Sequence, residues 1–173
     1  MRTLRFRILN LMVKVMIKEI GKNDLKQALD LVNKVFSEFV AADYSEQGRK
    51  SFADYLKTKY DEVSADLQTG YKKLWGYYEN GEVAGVIASK DKSHIALLFV
   101  EKQHHRKGIA RKLFDTMLAD VKNNTEITKI TVNSSPYAVG IYERLGFEKT
   151  DEQQEKDGII YIPMALQLED FEI

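Results

Sequence analysis

The sequence predicts one mixed α/β domain, of the α+β kind, over residues 16–173. An Asn-Gly pair at 80–81 lies between two β-rich runs, which is a strong hairpin signal because both residues tolerate positive φ. The uniformly apolar run at 95–100 is typical of a central strand, and apolar residues at helical spacing follow it over 106–121. No repeat, low-complexity tract or linker divides the chain from residue 16 onward, so it is expected to fold as one unit.

The first half of the chain predicts a strand, two helices and the hairpin. Residues 16–20 form a short strand, and Asn23 is expected to cap a helix with regularly spaced apolar side chains. A more polar helix is predicted over 46–67. The hairpin strands are predicted at 74–78 and 82–88.

The second half predicts a strand at 127–132 and then a helix with well-marked ends. Ser135 is expected at its N-cap, Pro136 at its first position and Gly146 just past its end. The last strands, near 147–150 and 159–166, flank an Asp-Gly turn at 157–158. Pro163 predicts an edge strand or a bulge, because proline cannot donate to a ladder.

Composition excludes several classes of protein. The 173 residues contain 44% apolar residues and no cysteine, which excludes disulfides, thiolate metal sites and a cysteine nucleophile and makes the cytoplasm the expected location. The apolar runs fall far short of the roughly 20 residues of a membrane helix, so no membrane association is expected. The three histidines, His94, His104 and His105, form no helical i, i+4 pair, so no metal is expected.

Residues 1–15 differ from the rest and are interpreted as an extension outside the domain. They carry four basic residues and no acid. An over-called start codon is one interpretation, with Met16 as the true start. A signal peptide is less favoured, because Lys14 interrupts the apolar stretch and no small-residue cleavage site follows. Without these residues the chain has 22 basic against 26 acidic residues, which argues against nucleic-acid binding.

The segment 103–112 places four firm cations at the start of a predicted helix: Arg106, Lys107, Arg111 and Lys112. Cations are unfavourable there because the helix dipole and the free N–H groups attract anions. The pattern therefore indicates a phosphate site, and the small residues Gly108 and Ala110 would let a polyanion approach the backbone. An exposed, solvated basic turn is the alternative interpretation.

Two segments carry a resemblance to a known family. Residues 97–100, followed by the run 105–110 (His-Arg-Lys-Gly-Ile-Ala), resemble the acetyl-CoA pyrophosphate motif of the GNAT superfamily of N-acetyltransferases, with His105 in place of the usual Gln or Arg. Residues 133–147 end in Tyr142, two residues, Leu-Gly-Phe, and look like a late GNAT segment. The resemblance covers 16 to about 166. It implies a mixed, mostly antiparallel sheet with helices on both faces and a splayed central strand pair.

The resemblance also implies a reaction. An acetyl group would pass directly from acetyl-CoA to an amine, with one backbone N–H polarising the thioester carbonyl and Tyr142 donating a proton to the thiolate. The spacing of apolar residues in this helix, taken alone, predicts instead that Tyr142 packs in the core. The implied cofactor contacts are Leu98, Phe99, Val100, Arg106, Lys107, Gly108, Ile109, Ala110, Arg111, Asn133 and Ser135. Ser135 has a helix cap as its alternative role.

The general base and the acceptor are less well determined by the sequence. Glu101 follows the central strand and could take the amine proton directly or through water, with Glu79, His94 and His104 as weaker candidates. A small-molecule or peptide amine is the expected acceptor, and residues 44–60 and 152–162 are expected to form the wall of the acceptor pocket. Edge strands of the family often dimerise, so the resemblance also allows a homodimer. The alternatives are a non-catalytic acyl-CoA-binding regulatory domain and a nucleic-acid or acidic-partner interaction domain.

Overall fold

The computed structural model describes residues 13–168, apart from the side chains of residues 58 and 59. Most of the predicted extension therefore lies outside the described residues. The helices of this part of the chain are α1 (Lys22–Phe39), α2 (Glu46–Thr69), α3 (Ile109–Lys122) and α4 (Val139–Leu145). The strands are β1 (Val15–Glu19), β2 (Lys72–Glu79), β3 (Glu82–Lys90), β4 (His94–Val100), β5 (Lys129–Ser134), β6 (Glu148–Lys149), β7 (Gln154–Lys156) and β8 (Ile159–Gln167). None of the helices in the described part is long and apolar enough to cross a membrane.

One mixed sheet organises the domain, and it confirms the predicted fold class. Its strand order is β1-β2-β3-β4-β5-β8-β6, with β7 added to the other end of β8. Every neighbouring pair is antiparallel except β4 and β5. One buried cluster joins α3 and α4 to the sheet, and a second joins α1 and α2 to it. The helices therefore cover both faces.

The parallel pair at the centre of the sheet is splayed. β4 and β5 pair only at His94 with Thr131 and at Ile95 with Val132. Residues 97–100 of β4 remain paired with β3 on the other side, and residues 96–100 have no partner on β5. The apolar run that predicted complete burial is accordingly only partly buried from Leu98 to Val100. The strand carries an apolar sequence but opens onto a cavity.

Both predicted turns form hairpins. Asn80 and Gly81 adopt φ of 53° and 91°, and Asp157 and Gly158 adopt φ of 53° and 77°. Positive φ at both central residues matches the right-handed twist of the flanking strands. The first turn joins β2 to β3, and the second joins the short strand β7, which the sequence did not predict, to β8.

Three predicted helix starts are wrong. A 3₁₀ turn (Pro136–Ala138) separates Ser135 and Pro136 from α4, whose N-cap is Ala138. Gly21 and not Asn23 is the N-cap of α1, because Ile20 still donates to the Leu74 carbonyl in the sheet and the chain turns immediately afterwards. The third helix begins at Ile109, since positive φ at Arg106 and at Gly108 interrupts the predicted start.

Pro163 lies in a strand that has partners on both sides, not at an edge. It pairs with Asn133 of β5 on one side. On the other side it falls between the part of β8 that pairs with β7 and the part that pairs with β6, and its carbonyl accepts from Thr150 N at 2.9 Å. The missing N–H is tolerated because β8 changes partner there.

The N-terminus of α2 packs backbone to backbone against the β7–β8 turn. Ser45 caps α2 by accepting from Gly48 N at 3.1 Å, and Ser51 Oγ donates to the Asp157 carbonyl at 3.2 Å. A Cβ added at Gly48 would lie 2.0 Å from the Gly158 carbonyl oxygen, and a Cβ at Gly158 would lie 2.5 Å from Gly48 N. Only a pair of glycines permits this approach.

Gly48→Ala should therefore destabilise the domain. The alanine methyl must displace a backbone carbonyl, and overpacking of this kind costs about 1–3 kcal/mol. Gly140→Ala is the matched control, because Gly140 also lies in the first turn of a helix and a Cβ there meets only the Arg144 guanidinium, at an ordinary contact distance of 3.5 Å. Urea unfolding of both variants measures the difference. Equal free energies of unfolding would show that the contact between α2 and the β7–β8 turn accommodates the methyl group without loss of stability.

Candidate active site

The predicted cofactor residues meet at one cavity of about 950 Å³ that extends through the splay between β4 and β5. Its walls come from α1, α2, the end of β4, the start of α3, the end of β5 and α4. Ten of the eleven predicted cofactor contacts line it, as does Tyr142. Lys107 does not; it is exposed beside the opening. The predicted base Glu101 also lies outside the lining.

The start of α3 presents free backbone N–H groups to this cavity. Gly108 is its N-cap in the left-handed region, at φ 73°, and no side chain caps the helix. The first turn holds no acidic residue, and Lys112 N makes the first bond back to the Gly108 carbonyl at 3.1 Å. The N–H groups of residues 108–111 thus have no partner within the helix. Exposed Arg106 and Lys107 add positive charge beside them.

Arg111 and His105 bind within the protein. The Arg111 guanidinium donates to the Arg144 carbonyl at the end of α4, and it lies 3.9 Å from Asp115. The His105 ring donates to the Val100 carbonyl at 2.7 Å and so ties the basic loop to the end of β4. The residue that replaces the Gln or Arg of the motif therefore shapes the strand end.

Tyr142 lies on α4 and is 5% exposed. Its ring contacts Phe147 edge to face, with the centroids 5.5 Å apart. Burial raises the pKa of the Tyr142 phenol well above its ordinary value of 10.0, so it stays protonated. Asn133 and Ser135 flank it on the cavity wall. Ser135 stands before a short 3₁₀ turn (Pro136–Ala138) and makes no side-chain cap bond, so its predicted alternative role as a cap is not seen.

A small charged cluster lies at the end of β4. Lys34 Nζ of α1 and Gln103 Nε2 both donate to the Glu101 carboxylate. The hydrogen bond from Lys34 lowers the pKa of Glu101, while burial opposes it. His104 is buried and lines the cavity; its Nε2 lies 3.8 Å from Glu101 and its Nδ1 lies 3.4 Å from Glu79 Oε2, without a hydrogen bond at Nδ1. Two carboxylates thus flank one imidazole.

The family profile described as acetyltransferase (GNAT) domain matches residues 40–168 of the chain. The match covers the splay, the start of α3 and Tyr142. The chain belongs to the GNAT acetyltransferase family. It is thereby classed with the N-acetyltransferases, which are acyltransferases.

Two curated relatives and one solved structure illustrate the similarity of this GNAT chain to known proteins. It is 29% identical to the UPF0157 protein YqkA of Bacillus subtilis over 55% of the chain but only 29% of that relative. It is 24% identical to the uncharacterized N-acetyltransferase YafP of Escherichia coli, covering 83% of the chain and 87% of YafP. The PaiA N-acetyltransferase of Thermoplasma acidophilum, solved in complex with coenzyme A, superposes with a TM-score of 0.71 at 16% identity over 89% and 99% of the two chains. That structural likeness supports the fold.

The GNAT cavity has a second compartment, on the α1–α2 side of the sheet, that is lined by aromatic side chains. The predicted acceptor wall at 44–60 contains Tyr44 and Phe52, which line this compartment, whereas no residue of the other predicted stretch, 152–162, lines the cavity. Phe99, predicted as a cofactor contact, also lines it, and three further aromatic residues were missed: Phe36, Phe39 and Tyr137. Phe36 and Phe39 were interpreted only as the apolar stripe of a helix, and no spacing signal separates a core face from a cavity wall.

His94 lies away from the site of the GNAT domain. It stands at the start of β4, where β4 still pairs with β5, and its Nδ1 lies 2.9 Å from Thr131 Oγ1. Burial lowers its pKa. It does not line the cavity. Among the described residues no group of three His, Cys, Asp or Glu side chains could hold a metal ion.

Proposed function

We propose that this GNAT protein transfers an acetyl group from acetyl-CoA directly to the amine of a small molecule or peptide. One observation carries the proposal: the unpaired edge of β4, the free N–H groups of α3 and the buried phenol of Tyr142 border a single cavity. The strand edge would bind the pantetheine arm of acetyl-CoA, the N–H groups would bind its pyrophosphate, and the phenol would protonate its leaving thiolate.

The residues at the start of α3 fit a pyrophosphate. A Cβ at Gly108 would meet nothing within 4 Å, so the space above the N–H groups is open, and the cations beside it favour an anion. Backbone groups of Leu98, Phe99 and Val100 would hold the pantetheine, and Asn133 and Ser135 would contact it from β5. When bound, acetyl-CoA supplies the activated acetyl group.

Proton transfer is assigned to groups of this chain. Tyr142 holds its proton at neutral pH and would give it to the departing sulfur. On the other side, the acceptor amine must lose a proton. Glu101 is the proposed final acceptor of that proton, with His104 between Glu101 and the cavity. No covalent enzyme intermediate is needed, which agrees with the absence of cysteine.

The same proposal extends to organisation and location. Residues 16–173 would act as one catalytic domain. Lys14 and Val15 of the predicted extension belong to it as well, because Val15 pairs with Glu79 in the sheet and Lys14 N donates to Asn80 Oδ1 at 3.1 Å. The absence of cysteine favours the cytoplasm.

Calorimetric titration with acetyl-CoA tests the proposal first. Micromolar binding is expected, and it should weaken for ATP, which lacks the pantetheine arm. Release of the coenzyme thiol in the presence of amines then measures turnover. Binding without turnover on any amine would identify a non-catalytic acyl-CoA-binding domain, and no binding would refute the cofactor site.

Lys34→Met tests the role of Glu101. Removing the Lys34 hydrogen bond withdraws the largest influence that lowers the Glu101 pKa, so this pKa should rise. The acidic limb of kcat/KM should then move to higher pH. Lys26→Met is the matched control, because Lys26 pairs with Asp30 on the same helix and away from the cavity. An unmoved acidic limb in Lys34→Met would remove Glu101 from the proton path.

A further inference from the structure

The charges around the cavity constrain the acceptor. None of the described residues that line the cavity is an aspartate or glutamate, whereas Arg106, Arg111 and Arg144 do line it. The nearest carboxylates of the site cluster, Glu101 and Glu79, lie behind His104, and Glu101 is paired with Lys34. The arginines belong to the side proposed to hold the pyrophosphate, so a polycationic acceptor would find no carboxylate on the described cavity wall to pair with its additional charges.

The walls of the aromatic compartment are flat and apolar. Phe36 stacks on Phe52 with the centroids 3.8 Å apart, and Tyr44 meets Phe36 edge to face at 5.4 Å. Phe99 of β4 lies 6.3 Å from Phe52 and joins this bank to the splay.

A second pair of aromatic rings also lines the cavity. Phe39 and Tyr137 stack with the centroids 5.4 Å apart. Tyr44 also stays uncharged, because burial raises the pKa of its phenol. Aromatic rings in these arrangements bind a further ring by offset stacking or edge-to-face contact.

We propose that the acceptor is a monoamine whose body is an aromatic ring. This inference rests on the proposed acetyl transfer and names its substrate class. The ring lies among Phe36, Phe52 and Phe99, and the single amino group points into the splay. The ammonium group first releases one proton to solvent. Its nitrogen then bonds to the acetyl carbon as the carbon–sulfur bond breaks and passes a second proton toward His104. Tyr142 gives its proton to the thiolate, so that the coenzyme leaves as its thiol, and regains a proton from solvent.

Acetylation of three amines by the full-length native protein tests the inference. 2-Phenylethylamine has the ring and one charge, n-butylamine has one charge and no ring, and spermidine is a polycation. Burial of the ring should give 2-phenylethylamine a kcat/KM roughly 10- to 100-fold above that of n-butylamine, and spermidine should be the poorest substrate. Equal or better turnover of spermidine or n-butylamine would overturn the inference while leaving acetyl transfer standing. No turnover of any amine would refute the proposed function itself, and the inference with it.

Phe52→Leu links the preference to the aromatic compartment. The kcat/KM for 2-phenylethylamine should fall about tenfold, that for n-butylamine should change little, and acetyl-CoA affinity should be retained. Tyr71→Leu is the control, since Tyr71 is 48% exposed and outside the cavity. Thermal unfolding of both variants shows whether they fold. A folded Phe52→Leu protein with an unchanged ring preference would overturn the assignment, and the amine ranking of the native protein tests it even if the variant does not fold.

Discussion

Gly108→Glu should abolish acetyl-CoA binding. The new carboxylate would stand at the N-cap of α3, in front of the N–H groups proposed to hold the pyrophosphate, and would itself occupy that anion site. Like charges placed against each other cost several kcal/mol, so the affinity should fall roughly 100-fold or more. Calorimetric titration with acetyl-CoA measures this loss.

Gly70→Glu is a closely matched control. Gly70 ends α2 at φ 73°, the value found at Gly108, and a Cβ at either position meets nothing within 4 Å. The two variants thus share the strain of a side chain in the left-handed region, about 1–2 kcal/mol, but only one places charge at the cavity. Equal acetyl-CoA affinity in the two variants would contradict the pyrophosphate assignment.

Tyr142→Phe should lower kcat roughly 100-fold and leave acetyl-CoA affinity nearly unchanged. Removal of a general acid typically costs two or more orders of magnitude in rate. Phenylalanine keeps the edge-to-face contact with Phe147, so packing in α4 is preserved. Single-turnover kinetics at saturating acetyl-CoA separates the chemical step from binding.

The pH profile supplies a second readout for Tyr142. Because burial raises its pKa, the phenol should still be protonated above pH 10, and the native rate should show no loss there from deprotonation of a tyrosine with an ordinary pKa. Tyr142 can donate its proton at any pH below its raised pKa and loses this ability only above that pKa. An unchanged kcat in Tyr142→Phe would mean that water or another group protonates the thiolate.

Local chemistry made much of the fold predictable. The Asn-Gly and Asp-Gly pairs specify their turns through positive φ, and Gly146 ends α4 at φ 99° where it was expected. The proposed anion site could be predicted because its residues are contiguous: one basic loop and the start of one helix would provide it. Motif and spacing suffice for such a site.

The rest of the site depends on pairs that are distant in the sequence. Lys34 and Glu101 are 67 positions apart, and nothing in either segment indicates that a salt bridge lowers the Glu101 pKa. The aromatic compartment likewise combines residues of α1, α2 and β4, each of which is consistent alone with an ordinary core. β8 changes its partner strand at Pro163, and this change could be predicted only from the positions of both short strands, β6 and β7.

The contact between Gly48 and Gly158 limits how this acceptor side can be diversified. The start of α2 and the β7–β8 turn lie in the two segments predicted to form the acceptor wall; they cross main chain against main chain, and Ser45 and Ser51 add side-chain hydrogen bonds to the turn. A hairpin exchanged from another member of the family would meet α2 correctly only if it also offered a glycine at the crossing. Engineering of acceptor specificity should therefore exchange the two segments together. A substitution at the crossing in one segment should likewise be accompanied by a compensating substitution in the other.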